Sequence, residues 1–234
     1  HAAAKAGFDA VECHWPYDQD AGDVKAALAA TGLSMLGLNA PRGDGTLGEN
    51  GLAALAGRED AARDSIDAAL DYADAIDASN IHVLSGFASG EAAEACFIEN
   101  LRYATTAAAV RGRSILIEPL NQYDAPGYFL NHTDQARRII EAVGAANLKL
   151  MFDCYHIQIL EGDLTRRIDA NLDITGHIQF AGVPSRDRPD LGEVNYAHIF
   201  AHLAASGYDA PLGAEYKPEG GDTAASLGWM SHLR

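Results

Sequence analysis

Short apolar runs and longer alanine-rich stretches with a polar face alternate along the whole chain. The clearest run is Ser114-Ile-Leu-Ile-Glu-Pro-Leu-Asn121, in which three aliphatic residues lead unbroken into Glu118. Such a run suits a strand buried on both faces, as in a parallel sheet. Proline has no N–H for a sheet ladder, so Pro119 ends this strand at Glu118 or just after it. The same reading predicts strands over Phe8–His14, Leu33–Asn39, Asn80–Ser85, Leu148–Asp153, Ile174–Ala181 and Pro211–Tyr216. Helices are expected over Asp20–Thr31, Glu59–Ile76 and Glu91–Arg111, and from a Thr133 cap to a Gly144 stop. Further helices are expected over Ile157–Leu172 with a break at Gly162, over Tyr196–Ser206, and over Thr223–Leu233. From Arg42 to Leu52 the chain is rich in Gly, Asp and Asn, and long loops of this kind often cover a site.

Unbroken alternation of strand and helix makes the chain α/β with a parallel sheet. Seven strands are counted, and the opening His1-Ala-Ala-Ala-Lys-Ala-Gly7 reads as the last turn of a helix that no strand precedes. An eightfold β/α barrel, the TIM barrel, accounts for both facts if its first strand and most of its first helix lie outside this sequence. One barrel domain, incomplete on its N-terminal side, then spans residues 1–234. A doubly wound sheet would normally show a glycine-rich first turn such as Gly-x-Gly-x-x-Gly, and no such first turn is read here.

Hydrophobic residues make up 48% of the chain, which argues against disorder, and no apolar run approaches the ~20 residues that span a bilayer. Acidic residues outnumber basic ones 33 to 17, a net charge of −16 that repels phosphate backbones and anionic membrane surfaces. Nucleic acid and membrane are therefore disfavoured as partners, and an anionic small substrate needs local cations or a metal. Cys13, Cys96 and Cys154 are odd in number, far apart and without a Cys-x-x-Cys. They fit buried thiols in a reducing, cytoplasmic compartment better than a disulfide framework.

Four strand tips carry a side-chain oxygen: Glu118, Asp153, Gln179 and Glu215, separated by 35, 26 and 36 residues, one β/α unit each. Neighbouring strands lie about 4.8 Å apart, so side chains at matching heights converge. Three carboxylates and an amide are hard ligands, suited to Mg²⁺ or Mn²⁺ rather than zinc. Any one strand end is polar simply because it emerges into water; four at unit spacing weigh against that account.

His177, two residues before Gln179 and deeper, reads as a hydrogen-bonded core histidine. His156, just past Asp153, is either structural or within reach of a substrate oxygen. His198 and His202, four apart on a helix with no acidic neighbour in sequence, read as a solvated face. Trp15 and Tyr17 either wall the pocket or merely pack. In the Val183–Arg188 loop, Arg186 or Arg188 could grip a substrate carboxylate, as could Lys217; Arg186 is favoured for its nearness to the Gln179 strand.

Gly7-Phe-Asp-Ala-Val-Glu12, Ile117-Glu-Pro-Leu-Asn121, Phe152-Asp-Cys-Tyr-His156, Gly176-His-Ile-Gln179 and Gly213-Ala-Glu-Tyr-Lys-Pro218 together resemble the hydroxypyruvate isomerase family, a branch of the xylose isomerase-like barrels. The resemblance runs through nearly the whole chain in order. It implies a divalent-metal-dependent aldose–ketose type isomerase acting on a small acid. By motif, Glu118, Asp153, Gln179 and Glu215 would bind the metal, with Glu118 and Glu215 as the proton-transferring pair. Related sugar epimerases carry histidine where Gln179 stands, so glutamine points to the hydroxypyruvate branch. The family's first strand and helix have no counterpart in this sequence.

The implied reaction, hydroxypyruvate to tartronate semialdehyde, moves a proton between adjacent carbons through an enediolate. A cation stabilises the developing oxyanions, one group takes the proton and another returns it. A 2-oxo-tetronate isomerase would use the same apparatus on a substrate one carbon longer. A non-catalytic metal- or ligand-binding barrel is a third reading. A barrel endonuclease is disfavoured by the charge and by the lack of a histidine-rich metal cluster. Assembly is left open, a homo-oligomer included.

Overall fold

The fourth strand, Ser114–Ile117, is as buried as its sequence demands: Ile115 and Ile117 are fully enclosed and Leu116 nearly so. In the computed structural model, which describes residues 1–233, it lies at the centre of a seven-stranded parallel sheet. The strands are β1 (Ala10–Cys13), β2 (Ser34–Asn39), β3 (Asn80–His82), β4 (Ser114–Ile117), β5 (Leu148–Asp153), β6 (Thr175–Phe180) and β7 (Leu212–Ala214). Spatial order equals chain order. Helices α1 (Ala2–Ala6), α2 (Ala21–Thr31), α3 (Glu59–Ile76), α4 (Glu91–Ala109), α5 (Thr133–Val143), α6 (Cys154–Leu160), α7 (Leu164–Asn171) and α8 (Tyr196–Ala205) run between or beside them. The described chain ends in α9 (Thr223–Ser226), a 3₁₀ turn and α10 (Met230–Leu233), so the expected last helix is broken into short pieces. The result is a nearly closed TIM barrel. Among the described residues no helix is long and apolar enough to cross a membrane.

Helix faces follow the 3.6-residue period. On α3, Ala62, Ile66, Ala69, Leu70, Ala73 and Ile76 are buried while the intervening acids face outward. Gly162, at φ 66, separates α6 from α7 where the break was expected. Thr133 does not cap α5. It is the first helical residue, and its N–H and hydroxyl both donate to the Glu161 carboxylate, at 2.6 and 3.0 Å. One orphan backbone donor at this helix start is thus satisfied from 28 residues away, which no local pattern could reveal.

The 42–52 loop is irregular, as expected, apart from one short turn. It contains a Gly-x-Gly-x-x-Gly string, Gly43 to Gly48, but this feeds a single 3₁₀ turn (Gly45–Leu47) rather than a long helix. Gly51 then pairs with Ser85, so the loop is sewn to the end of β3.

Edge strands β1 and β7 do not pair with each other. Between them lies a cavity of about 600 Å³ walled by Phe8, Val11, Phe180, Leu212 and Trp229. Glu12 on β1 reaches across this seam to His177 Nε2 on β6 at 2.9 Å. The carboxylate passes over Gly213 of β7, where an added Cβ would lie 2.2 Å from Glu12 Oε1 and 2.9 Å from His177 Nε2. His177 is therefore the hydrogen-bonded core residue its depth on the strand suggested.

Candidate active site

Parallel register brings the four strand tips to one end of the barrel. Glu118 directly follows β4, and Asp153, the last residue of β5, pairs with Gln179 on β6. Just past β7, the Glu215 N–H donates to Phe180 O at 3.1 Å. Asp153 Oδ1 accepts the Tyr155 N–H at 2.8 Å and so starts α6 three residues earlier than expected. Glu118, Asp153 and Gln179 are all buried, yet Glu118 Oε1, Asp153 Oδ2 and Gln179 Oε1 have no hydrogen-bond partner. Buried acceptors left orphaned together call for an explanation, and a hard cation is one that satisfies all three. The donor set therefore fits a divalent metal ion.

Burial pushes the Glu118 carboxyl well above its ordinary range, with the Glu215 and Asp153 charges adding to the effect. Asp153 is raised by burial to about 7, although Arg186 pulls it down. Glu215 behaves oppositely. Burial raises it, but a His14 hydrogen bond and the Arg186 guanidinium outweigh that and hold it at about 2. These two contacts take one oxygen each: His14 Nε2 meets Oε1, and Arg186 Nη2 meets Oε2.

His156 joins this cluster. Its Nε2 lies 3.9 Å from Glu118 Oε1 and 3.7 Å from Asp153 Oδ2. Glu118, Asp153 and His156 form a compact triad of metal-ligating residue types. The Asn121 N–H donates to His156 Nδ1 at 3.0 Å, so in the neutral ring Nε2 carries the proton. Burial holds the ring neutral, its pKa lowered to about 3. In that tautomer His156 presents a donor to the cluster and not a ligand lone pair.

Arg186 is the cation that the loop after β6 delivers. Its backbone is left-handed (φ 54), its O accepts the Lys217 N–H at 2.7 Å, and its guanidinium lies 5.0 Å over the Tyr155 ring. Nη1 donates to Asp124 at 3.4 Å, and Nη2 lies 3.6 Å from Asp153 Oδ2. Arg188 turns away to Asp190. Lys217 is exposed, and it is its backbone that supports the site.

Trp15 Nε1 donates to Ala40 O and Tyr17 O–H to Asn39 O, so both brace the end of β2. His202 does have an acidic partner, Asp169 of α7 at 2.7 Å, which the sequence around it did not show.

Sequence reasoning passed over His14, Asp124, Asn121 and His82. His14 was findable, since it ends a predicted strand just as Glu118 does; His82 lies inside the predicted Asn80–Ser85 strand and ends only the observed one. Asp124 and Asn121 lie in the loop after β4 and carry no local signal.

The model of the xylose isomerase-like TIM barrel family matches residues 1–233. The chain is 48% identical to a 2-oxo-tetronate isomerase of Cupriavidus necator, over 98% of this chain and 89% of that protein. It is 41% identical to the hydroxypyruvate isomerase of Escherichia coli, over 99% of this chain and 91% of that protein. A solved structure described as an AP endonuclease, family 2, from Brucella melitensis superposes with a TM-score of 0.95 at 42% identity, over 100% of this chain and 91% of that one. With barrel, strand-tip acids and near full-length likeness in agreement, the chain belongs to the xylose isomerase-like TIM barrel family and is an enzyme of the isomerase class.

Proposed function

We propose that the chain transfers a proton between adjacent carbons of a short hydroxy-keto acid, with hydroxypyruvate and tartronate semialdehyde as the pair its motifs imply. One observation carries this reading: three orphaned buried oxygens, from Glu118, Asp153 and Gln179, lie at the strand tips beside the half-buried Arg186 guanidinium. Glu118, Asp153, Gln179 and Glu215 would hold Mg²⁺ or Mn²⁺. Such an ion, when bound, supplies a Lewis acid for the charge that develops on the substrate oxygens, worth several kcal/mol.

The chain's own residues do the rest. Arg186, backed by Asp124, grips the substrate carboxylate, and exposed Lys217 adds positive charge beside the Arg186 loop. His156 Nε2–H donates to a substrate oxygen. Glu118 and Glu215, from opposite sides of the cluster, serve as the group that takes the proton and the group that returns it. The acidic balance supports a small-molecule partner over nucleic acid or membrane, and the three free cysteines fit a cytoplasmic setting.

The test is proton NMR of hydroxypyruvate in D₂O with the protein and Mg²⁺. Deuterium should enter the carbon next to the carbonyl, and a chelator should stop it. No label with either Mg²⁺ or Mn²⁺ would leave a binding barrel as the better account. A second reading, isomerisation of 2-oxo-tetronate, is favoured by the 48% identity to the enzyme of that name.

A further inference from the structure

Arg186, the cation at the cluster, is shared among three carboxylates: Glu215, Asp124 at 3.4 Å and Asp153 at 3.6 Å. The mouth of the barrel carries a second guanidinium that is shared with none. Arg42 is exposed, just beyond the end of β2 at Asn39, and its guanidinium carbon lies over the Trp15 ring, 4.5 Å from the centroid. The acids of its own loop are engaged elsewhere. Glu49 pairs with Arg58 at 2.8 Å, and Asp44 accepts the Thr46 N–H and hydroxyl at 2.8 and 2.6 Å. Among the described residues no carboxylate forms an ion pair with Arg42.

Trp15 is a fixed platform for this cation. Its Nε1–H donates to Ala40 O at 3.2 Å, which anchors the indole and leaves its face to the guanidinium. Such a contact contributes about 0.5–1 kcal/mol at an exposed site, enough to bias where a long side chain resides. The indole also leads inward. Its centroid lies 5.2 Å from that of His14, whose Nε2 meets Glu215 Oε1, while Arg186 meets the other oxygen of Glu215. Arg42 therefore stands two ring contacts from the cluster, across Glu215 from Arg186. A keto acid is an anion, and the net charge of −16 opposes its approach. An unpaired cation at the entrance reverses that field locally.

We propose that Arg42, held on Trp15, is the first cation an incoming keto-acid carboxylate meets, and that it promotes capture of the substrate before Arg186 takes the carboxylate over. This rests on the isomerase reading above, and on no particular chain length of the acid. Arg42 acts on encounter and not on proton transfer, so its effect belongs in kcat/KM and is absent from kcat. Screening separates such a role from packing, because the Debye length shrinks from about 30 Å at 0.01 M salt to about 3 Å at 1 M.

The experiment measures kcat and KM on whichever of hydroxypyruvate and 2-oxo-tetronate is turned over, from about 0.01 to about 1 M NaCl. The Mg²⁺-loaded full chain is compared with Arg42→Gln and Arg42→Lys. At the lowest salt Arg42→Gln should lose about three- to fivefold in kcat/KM, the size of one exposed charge contact, with kcat unmoved. The loss should close as salt rises, and Arg42→Lys should recover most of it. A second readout needs no turnover. Trp15 is one of two tryptophans, the other being Trp229, buried against Phe180 and Tyr216. Pyruvate, which has no hydroxyl to isomerise, should perturb the Trp15 fluorescence saturably, and at higher concentration in Arg42→Gln. A loss that ignores salt, a loss in kcat, or an Arg42→Lys no better than Arg42→Gln overturns the proposal, since each marks Arg42 as loop packing. Equal pyruvate affinity in the two proteins at low salt overturns it as well. Turnover of neither acid by the unaltered protein sinks the isomerase reading itself, and the pyruvate titration then still decides whether Arg42 binds a keto-acid anion.

Discussion

The two halves of the barrel mouth handle buried negative charge in opposite ways. On the β4–β5 half, Glu118 and Asp153 are enclosed with an oxygen each unpartnered, and both are driven toward their protonated forms. On the β7–β1 half, Glu215 has both oxygens engaged, by His14 and Arg186, and stays ionised. The seam below is pinned by another acid–histidine pair, Glu12 and His177. One half stores unsatisfied acceptors for a cation, and the other is already neutralised by the protein's own donors. Removing a buried unpaired charge tends to stabilise, whereas removing one partner of a buried pair destabilises.

The largest effect that tests this contrast pairs Glu118→Gln with Glu215→Gln. Each should lower kcat by about 10²–10⁴-fold, the range for loss of a general acid or base. Their melting temperatures without metal should move apart, Glu118→Gln upward and Glu215→Gln downward, because only the latter strands Arg186 and His14. Calorimetry showing both variants shifted in the same direction would break the comparison.

Arg186→Gln comes next. A charge-assisted hydrogen bond is worth roughly 1.5–3 kcal/mol, so KM for the keto acid should rise about ten- to a hundredfold. The variant should also melt earlier without metal, since Glu215 and Asp153 lose their only nearby guanidinium among the described residues.

The pH dependence of stability follows from the same two halves. Asp153 ionises near 3.8 in an unfolded chain and at about 7 in the fold. Between those values the folded state binds more protons, so this residue makes stability fall as pH climbs from about 4 to 7. Glu215, lowered from 4.5 to about 2, contributes stability that is present above 4.5 and lost as pH falls toward 2. Without metal, urea midpoints should peak near pH 4–5 and decline on both sides. Mg²⁺ at 100 times its Kd should add about 2.7 kcal/mol near neutral pH and flatten the upper limb. A metal-free profile that keeps rising to pH 8 would contradict the orphaned-acid half.

The strand-tip half of this site was legible in the sequence because strands impose a fixed geometry. Period-two alternation and parallel register translate residue spacing into spatial convergence, so Glu118, Asp153, Gln179 and Glu215 could be grouped before any coordinates. The same logic placed His177 one layer down. What spacing could not supply was anything reached through loops or long side chains. Asp124 meets Arg186 across 62 residues, and His14 meets Glu215 across 201. Glu161 caps α5 from another helix end, and Asp169 partners His202 from α7. These contacts depend on where irregular backbone carries a side chain, and local pattern holds no record of that. For the 42–52 loop, length and glycine content say that the segment is irregular without saying which way it folds.

The smallest expected effect sharpens the description of the seam. Glu12 reaches His177 only because Gly213 has no side chain, and an added Cβ would sit 2.2 Å from the Glu12 carboxylate. Gly213→Ala should therefore push the pair apart and cost about 1–3 kcal/mol, the range for overpacking a filled site. In a Glu12→Ala background the closest clash is gone and the contacts with His177 Nε2 at 2.9 Å and Gln179 Cγ at 3.0 Å remain, so the same substitution should cost less. Denaturant titration of the four proteins in the cycle measures that coupling directly. Additive losses would mean that Gly213 is needed for the backbone of β7 itself. The Glu12–His177 contact would then be a consequence of seam closure and not one of its causes.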